Sequence, residues 1–172
     1  MATANAFNAR ATFTIRMDRL YRVYVQDGAL YFIRIGGQGG LELALVGGFG
    51  LLGGLAAGAI RRRTGGGQKR KVLETDRQRP EDLLPAHKEN FRLYCSEVLE
   101  SVIEPPAAFV SHGVHVGRWQ ITRAPDGKKT SLQFEQLEDM RTALALLPPL
   151  LGVKLKVNVQ WNEGKKRFEA RK

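Results

Sequence analysis

The sequence predicts an α+β domain: an antiparallel sheet of hairpins, covered by two amphipathic helices and interrupted by a glycine-rich apolar insertion. Three observations carry this. Strand-like runs flank the turn pairs Asp27-Gly28, Asp126-Gly127 and Glu163-Gly164. Two other stretches repeat their apolar residues at helical spacing. Between the first hairpin and the first of these stretches lies a 25-residue segment, 36–60, with ten glycines and only Gln38 and Glu42 as polar side chains. A chain of 172 residues suits one domain with a real core, here expected over 12–172.

Residues 1–11 are small and polar, so they are expected to be disordered. They contain no apolar run of the roughly 7 to 15 residues that a secretory signal needs, which predicts that the chain is not exported by that route. Phe13, Ile15 and Met17 then alternate as a strand does. In the first hairpin a two-residue turn at Asp27-Gly28 sets Val25 against Leu30 and Val23 against Phe32 on one wholly apolar face, with Tyr24 against Tyr31 on the other.

The helical stretches come next. Phe91, Tyr94, Cys95, Val98, Leu99 and Val102 form a stripe that predicts a helix from about Pro85 to about Glu104. Glu81 and Asp82 precede it and Pro105-Pro106 stops it. Leu137, Met140, Leu144 and Leu147 predict a second helix, ended by Pro148-Pro149.

Two further hairpins complete the sheet. A two-residue turn at Asp126-Gly127 pairs Trp119 with Phe134 and Ile121 with Leu132. On the opposite face it pairs Arg118 with Glu135, Gln120 with Gln133 and Thr122 with Ser131. Val153, Leu155, Val157, Val159 and Trp161 alternate strictly with polar residues in one half-buried strand that has a basic outer face, and a turn at Glu163-Gly164 sets Val159 against Phe168.

The stretch Tyr21-Arg-Val-Tyr-Val-Gln-Asp-Gly-Ala-Leu-Tyr-Phe-Ile-Arg-Ile35 resembles the strand-turn-strand unit of pleckstrin-homology-like and GRAM-like domains, where V-x-D-G running into L-Y-F marks an early hairpin. Over residues 21–35 the resemblance implies a lipid-facing or membrane-anchoring role. That fold places its helix after its last strand, whereas here strand patterns at 153–161 and 165–170 follow the last helix. The resemblance carries no ligand residues onto this chain.

Charge narrows the partners. The 27 Lys and Arg against 17 Asp and Glu give a net charge of +10, which suits an anionic surface. One Cys excludes an intramolecular disulfide, and three His with that Cys give no zinc-finger spacing.

Leu43 to Ile60 is eighteen residues without a charge, the length of a membrane-spanning candidate. Leu43, Leu45, Val46, Phe49, Leu51, Leu52, Leu55 and Ile60 supply its large apolar side chains. Gly50, Gly54 and Gly58 form a small-residue stripe through which two copies could pack in lipid. The other reading is a glycine-rich loop of a water-borne domain, although glycine makes a poor helix in water and the segment is too apolar for a solvated linker.

Arg61, Arg62, Arg63, Lys69, Arg70 and Lys71 follow within a flexible basic linker, 61–79, and are the candidate contacts for anionic lipid headgroups. A solvated linker without a partner and a nucleic-acid contact are the competing readings. The aromatic residues lie in strand faces rather than among these cations, which favours lipid. A single crossing of the bilayer by 36–60 would put the first hairpin on the opposite side from the other two, so a re-entrant hairpin bent at Gly47-Gly48 is expected.

No cofactor, metal site or catalytic motif is expected. His112 and His115 lack a third ligand, Cys95 reads as a structural thiol, and Glu138-Asp139 reads as a helix start rather than an acid-base dyad. Ser111, Gly113 and Gly117 make no nucleophile elbow, and 36–40 lacks the Lys-Ser/Thr of a phosphate loop. The expected function is therefore non-enzymatic attachment to the cytoplasmic face of a membrane, the alternative being a soluble basic domain for an acidic partner.

Overall fold

The structure is a computed structural model that describes residues 5–11, 18–37, 69–106 and 115–171. Its strands are β1 (Ala6–Ala11), β2 (Arg19–Gln26), β3 (Ala29–Gly36), β4 (Phe91–Tyr94), β5 (Val98–Glu104), β6 (Gly117–Arg123), β7 (Lys129–Phe134), β8 (Leu155–Val157), β9 (Val159–Asn162) and β10 (Arg167–Ala170). The first eight form one sheet in the order β4-β3-β2-β1-β7-β6-β5-β8; β9 and β10 form a separate pair. Every pairing in the large sheet is antiparallel except β5 with β8. The helices are a short α1 (Pro80–Leu83) and a long α2 (Leu137–Leu151), and residues 69–75 are also helical.

The sheet curls around its core. Phe32 on β3 and Trp119 on β6 are four strand spacings apart in the sheet order, about 19 Å if it were flat. Their ring centroids are 6.1 Å apart and nearly parallel. Phe7 from the intervening β1 packs edge-on to the same indole at 5.6 Å. Near the two free edges, Lys154 Nζ donates to the Cys95 carbonyl at 2.7 Å. Met140, Ala143, Leu147 and Leu151 of α2 are buried in the same core. Met140 of α2 packs closely over Gly117 of β6: a Cβ there would lie 2.5 Å from Met140 Sδ, so a larger residue would require the thioether to shift.

The first hairpin forms in the expected register, with Val25 opposite Leu30, Val23 opposite Phe32 and Tyr24 opposite Tyr31. Asp27 and Gly28 have φ of 50° and 70°, the two positive values that a type I′ turn requires. The tyrosine face is not solvated, however. Ala6, Tyr24, Ala29, Tyr31 and Ile33 form a second buried cluster beneath Leu83 of α1.

Several expectations are corrected. Ala6–Ala11 is not disordered but a strand between β2 and β7, with Phe7, Ala9 and Ala11 facing the core. The alternation at Phe13, Ile15 and Met17 lies outside the described residues. The helix expected over 85–104 is instead β4, a 3-10 turn at Cys95–Glu97 and β5. A helical stripe would bury Tyr94 and Leu99, yet they are 42% and 53% exposed, while Leu93, Val98, Ser101 and Ile103 are buried. A bulge between Val98 and Glu100 disrupts the period of two and mimics a helical spacing. Glu81 and Asp82 occupy the first turn of α1 instead. Among the described residues one long helix therefore covers the core, not two.

In the second hairpin Trp119 pairs with Leu132, Gln120 with Ser131 and Thr122 with Lys129, a shift of two residues from the expected register. A two-residue turn at Asp126-Gly127 would place Pro125, which has no N–H, in the closing pair. The chain instead spans Ala124 to Gly127 and closes with the Arg123 N–H donating to the Lys128 carbonyl at 3.0 Å. A shift of two preserves the faces, and Trp119, Ile121, Leu132 and Phe134 are all buried.

The last hairpin shifts in the same way, so that Trp161 opposes Phe168 and Val159 opposes Ala170. Its strand is not continuous with β8: at Asn158 the N–H turns to the Ile103 carbonyl and the C=O accepts from Arg171. Val153, expected inside, is fully exposed. Finally, α2 runs through Pro148 and Pro149 and ends at Gly152, whose φ is 54°. Burial of Leu151 one turn beyond Leu147 holds this last turn in place.

Candidate functional site

Arg61, Arg62, Arg63 and the whole apolar set from Leu43 to Ile60, with Gly50, Gly54 and Gly58, lie outside the described residues, and so does the proposed bend at Gly47-Gly48. The structure does describe where the chain leaves the sheet before this segment and where it returns. At the exit, Gly37 has φ of 144° and a Cβ there would lie 2.3 Å from the Asp18 carbonyl oxygen, so only glycine fits.

At the return, residues 87–90 are bound to the end of β3. The Arg34 N–H donates to Asn90 Oδ1 at 2.8 Å, and Asn90 Nδ2 donates to the Leu83 carbonyl at 2.7 Å. The Glu89 carboxylate lies between two guanidinium groups, 2.6 Å from Arg19 Nη2 and 2.6 Å from Arg34 Nη1. Arg34 also reaches His87 Nε2 at 3.2 Å and donates to the Gly36 carbonyl. These charges are mostly shielded from water, so the paired geometry matters. Glu89 thus links β2, β3 and the returning chain.

Part of the stretch expected to be a flexible linker is folded. Residues 69–75 are helical and Lys69, Arg70 and Lys71 on them are exposed. The helix is fastened to β2 through Asp76. Arg22 donates to both carboxylate oxygens of Asp76, at 3.1 and 2.9 Å, and the Tyr24 hydroxyl donates at 2.7 Å. Burial, with Asp76 as a lesser cause, pushes the Tyr24 phenol up to about 12. From Arg22 the network passes to Asn8 Oδ1 at 3.4 Å, and the Asn8 N–H donates to Asp139 Oδ1 at 2.7 Å. Asp139 therefore ties β1 to the start of α2, and burial raises its carboxyl above the ordinary range.

The other candidates are placed as follows. His115 is buried, which lowers its pKa, and His112 lies outside the described residues. Among the described residues no three metal-ligating side chains converge. Cys95 is half-buried beside Lys154, and burial raises its thiol above the usual value. Trp119 Nε1 donates to Ser101 Oγ at 2.7 Å inside the core, a pair that the hairpin reading does not anticipate.

Sequence reasoning missed Arg19, Arg22, Arg34, Asp76 and Glu89. Two of them carried a signal. Arg22 and Arg34 interrupt strands of aromatic and β-branched residues, and a charge in such a strand needs a partner from elsewhere. The partners lie more than fifty residues away in sequence, and no local pattern marks Asp76 or Glu89.

No helix among the described residues is long and apolar enough to cross a membrane. In comparisons with known proteins, no family model, no curated protein and no solved structure matches the chain.

Proposed function

We propose that this protein is a non-enzymatic domain that associates with anionic membrane lipid through the glycine-rich apolar segment 36–60 and the basic residues after it. One observation carries the reading: β3 and β4, which flank the segment in sequence, are hydrogen-bonded neighbours in one sheet. Gly37 and Lys69 therefore belong to one folded body on one side of any bilayer. This supports a re-entrant or interfacial contact over a single crossing. Glycine and apolar residues then meet lipid, and the adjoining cations meet headgroups at roughly 1 kcal/mol each.

The pleckstrin-homology-like resemblance points in the same direction. Its main discrepancy was strand pattern after the last helix. Here α2 follows an antiparallel succession of seven strands, and β8 to β10 are additions beyond it. That order supports the resemblance.

The test is co-sedimentation of the full chain with phosphatidylcholine vesicles, with and without phosphatidylserine, at low and high salt. The expected result is pelleting with the anionic vesicles that persists at high salt, where Debye screening removes purely electrostatic binding. Complete release at high salt would replace this reading by a soluble basic domain for an acidic partner, and equal recovery with neutral vesicles would leave the apolar contact and remove the headgroup contact.

A further inference from the structure

Residues 69–79 form a strap over the outer face of β2, and its inward and outward sides differ sharply. Thr75 is buried, Val72 is half-buried, and Asp76 is held by Arg22 and Tyr24. These three lie at i, i+3 and i+4, which defines one side of a helix. The other side carries Arg70, Leu73 and Glu74, and Leu73 is 62% exposed.

Charge on the strap is equally one-sided. Lys69, Arg70, Lys71, Arg77 and Arg79 are exposed. Of the two acids, Asp76 is consumed by Arg22, and Glu74 pairs with Arg70 at 2.8 Å. The network therefore does more than fasten the strap, because it removes an acid from the surface balance and turns Leu73 outward among cations.

Resting on the membrane reading above, we propose that this outward side lies on an anionic bilayer. Leu73 enters the interface, and Arg77 and Arg79 join Lys69, Arg70 and Lys71 at the headgroups. A single exposed leucine on a neutral surface would be unremarked. Here it sits within a cationic stretch that continues the basic run Arg61 to Arg63, and an apolar side chain ringed by cations complements an anionic lipid interface better than a nucleic-acid backbone. The Asp76 latch fixes which side of the domain faces the lipid.

The experiment uses the full chain with phosphatidylserine-containing vesicles. Leu73→Ser should weaken vesicle affinity about tenfold, near the low end of what one buried leucine contributes, while Leu73→Met should not. Both should melt with the parent, since the side chain is exposed in the fold. In a Cys95→Ser background, an environment-sensitive fluorophore at Leu73→Cys should shift to the blue on these vesicles and be protected from an aqueous quencher. The same fluorophore at Lys166→Cys, in the exposed β9–β10 turn, should change in neither respect. Vesicle binding with an unshifted probe at 73 and undiminished affinity in Leu73→Ser overturns the strap contact and leaves the membrane reading standing. Failure of the parent to bind vesicles at all overturns both, and binding to duplex DNA in its place assigns the strap to nucleic acid.

Discussion

The β2–β3 and β6–β7 hairpins are both built around an Asp-Gly pair and both supply aromatic residues to the core, but they are buried differently. Between β2 and β3 both faces are covered: Val23, Leu30 and Phe32 on the inside, Tyr24, Tyr31 and Ile33 on the outside. Between β6 and β7 only one face is buried, with Gly117, Trp119, Ile121, Leu132 and Phe134, and Arg118, Gln120, Ser131 and Gln133 stay partly in water. The cover over the first hairpin comes from residues 69–86, which arrive after the apolar segment. The second hairpin has no such cover among the described residues. In these two hairpins the uncovered face is polar, and the face without polar residues has a second element on top of it.

The largest expected effect tests this difference directly. Tyr31→Ala on the outer face of the first hairpin should cost about 3 to 5 kcal/mol, the scale of a buried aromatic truncation, as should Trp119→Ala on the inner face of the second. Gln120→Ala, on the outer face of the second hairpin, should fall within about 0.5 kcal/mol of the parent. Urea titrations of the three variants check the ranking. A cost for Tyr31→Ala as small as that for Gln120→Ala would mean that the outer cluster is no second core.

The comparison also shows what was legible in the sequence. Asp27-Gly28 gave register and faces together, because both turn residues can take positive φ and nothing beside them lacks an N–H. Around Asp126-Gly127 and Glu163-Gly164 the faces were legible and the register was not, since a slip of two residues leaves every side chain on its face. β1 was invisible because its inward positions are mostly alanine, which carries little apolar signal and favours helix over strand. The stretch 85–104 was misread because a bulge and a 3-10 turn give strand residues helical spacing. Of the candidate site, the exposed Lys69, Arg70 and Lys71 were legible by composition. The network that orients them joins residues far apart in sequence, and spacing cannot reveal it.

A middle-sized effect comes from the buried hydroxyl that only the first hairpin carries. The Tyr24 phenol ordinarily titrates at 10 and is pushed up to about 12 in the fold. A raised value means that the folded state holds this proton more tightly. The associated stability is whole below pH 10 and is lost as pH rises through about 12. That displacement is at most about 3 kcal/mol, and screening at the outer face reduces it to about 1 to 2. Tyr24→Phe should start lower at neutral pH, having lost its hydrogen bond to Asp76, and should lack this alkaline decline. The quantity to measure is the difference between the two denaturation-midpoint profiles from pH 9 to 12, because burial also raises Tyr21 and its loss is common to both proteins. Parallel profiles would place the Tyr24 hydroxyl in water and remove it from the latch.

The smallest effect concerns what sets register when turn and sheet disagree. Pro125 denies a two-residue turn its closing donor, and Pro125→Thr would restore one. If turn chemistry alone decided, this variant would slip by two residues and set Trp119 against Phe134. The neighbours argue against a slip. β6 is also paired with β5 from Val98 to Glu104, and β7 with β1 at Arg10 and Ala11, so a slip would have to break one ladder or move both. Gly117 would also leave its place under Met140, whose thioether closely approaches it. The expected outcome is an unchanged register, with cross-strand nuclear Overhauser contacts still joining Trp119 to Leu132. Contacts from Trp119 to Phe134 instead would mean that the two-residue turn outweighs two strand pairings. The match between turn and register in the first hairpin would then be its cause rather than a coincidence of good local chemistry.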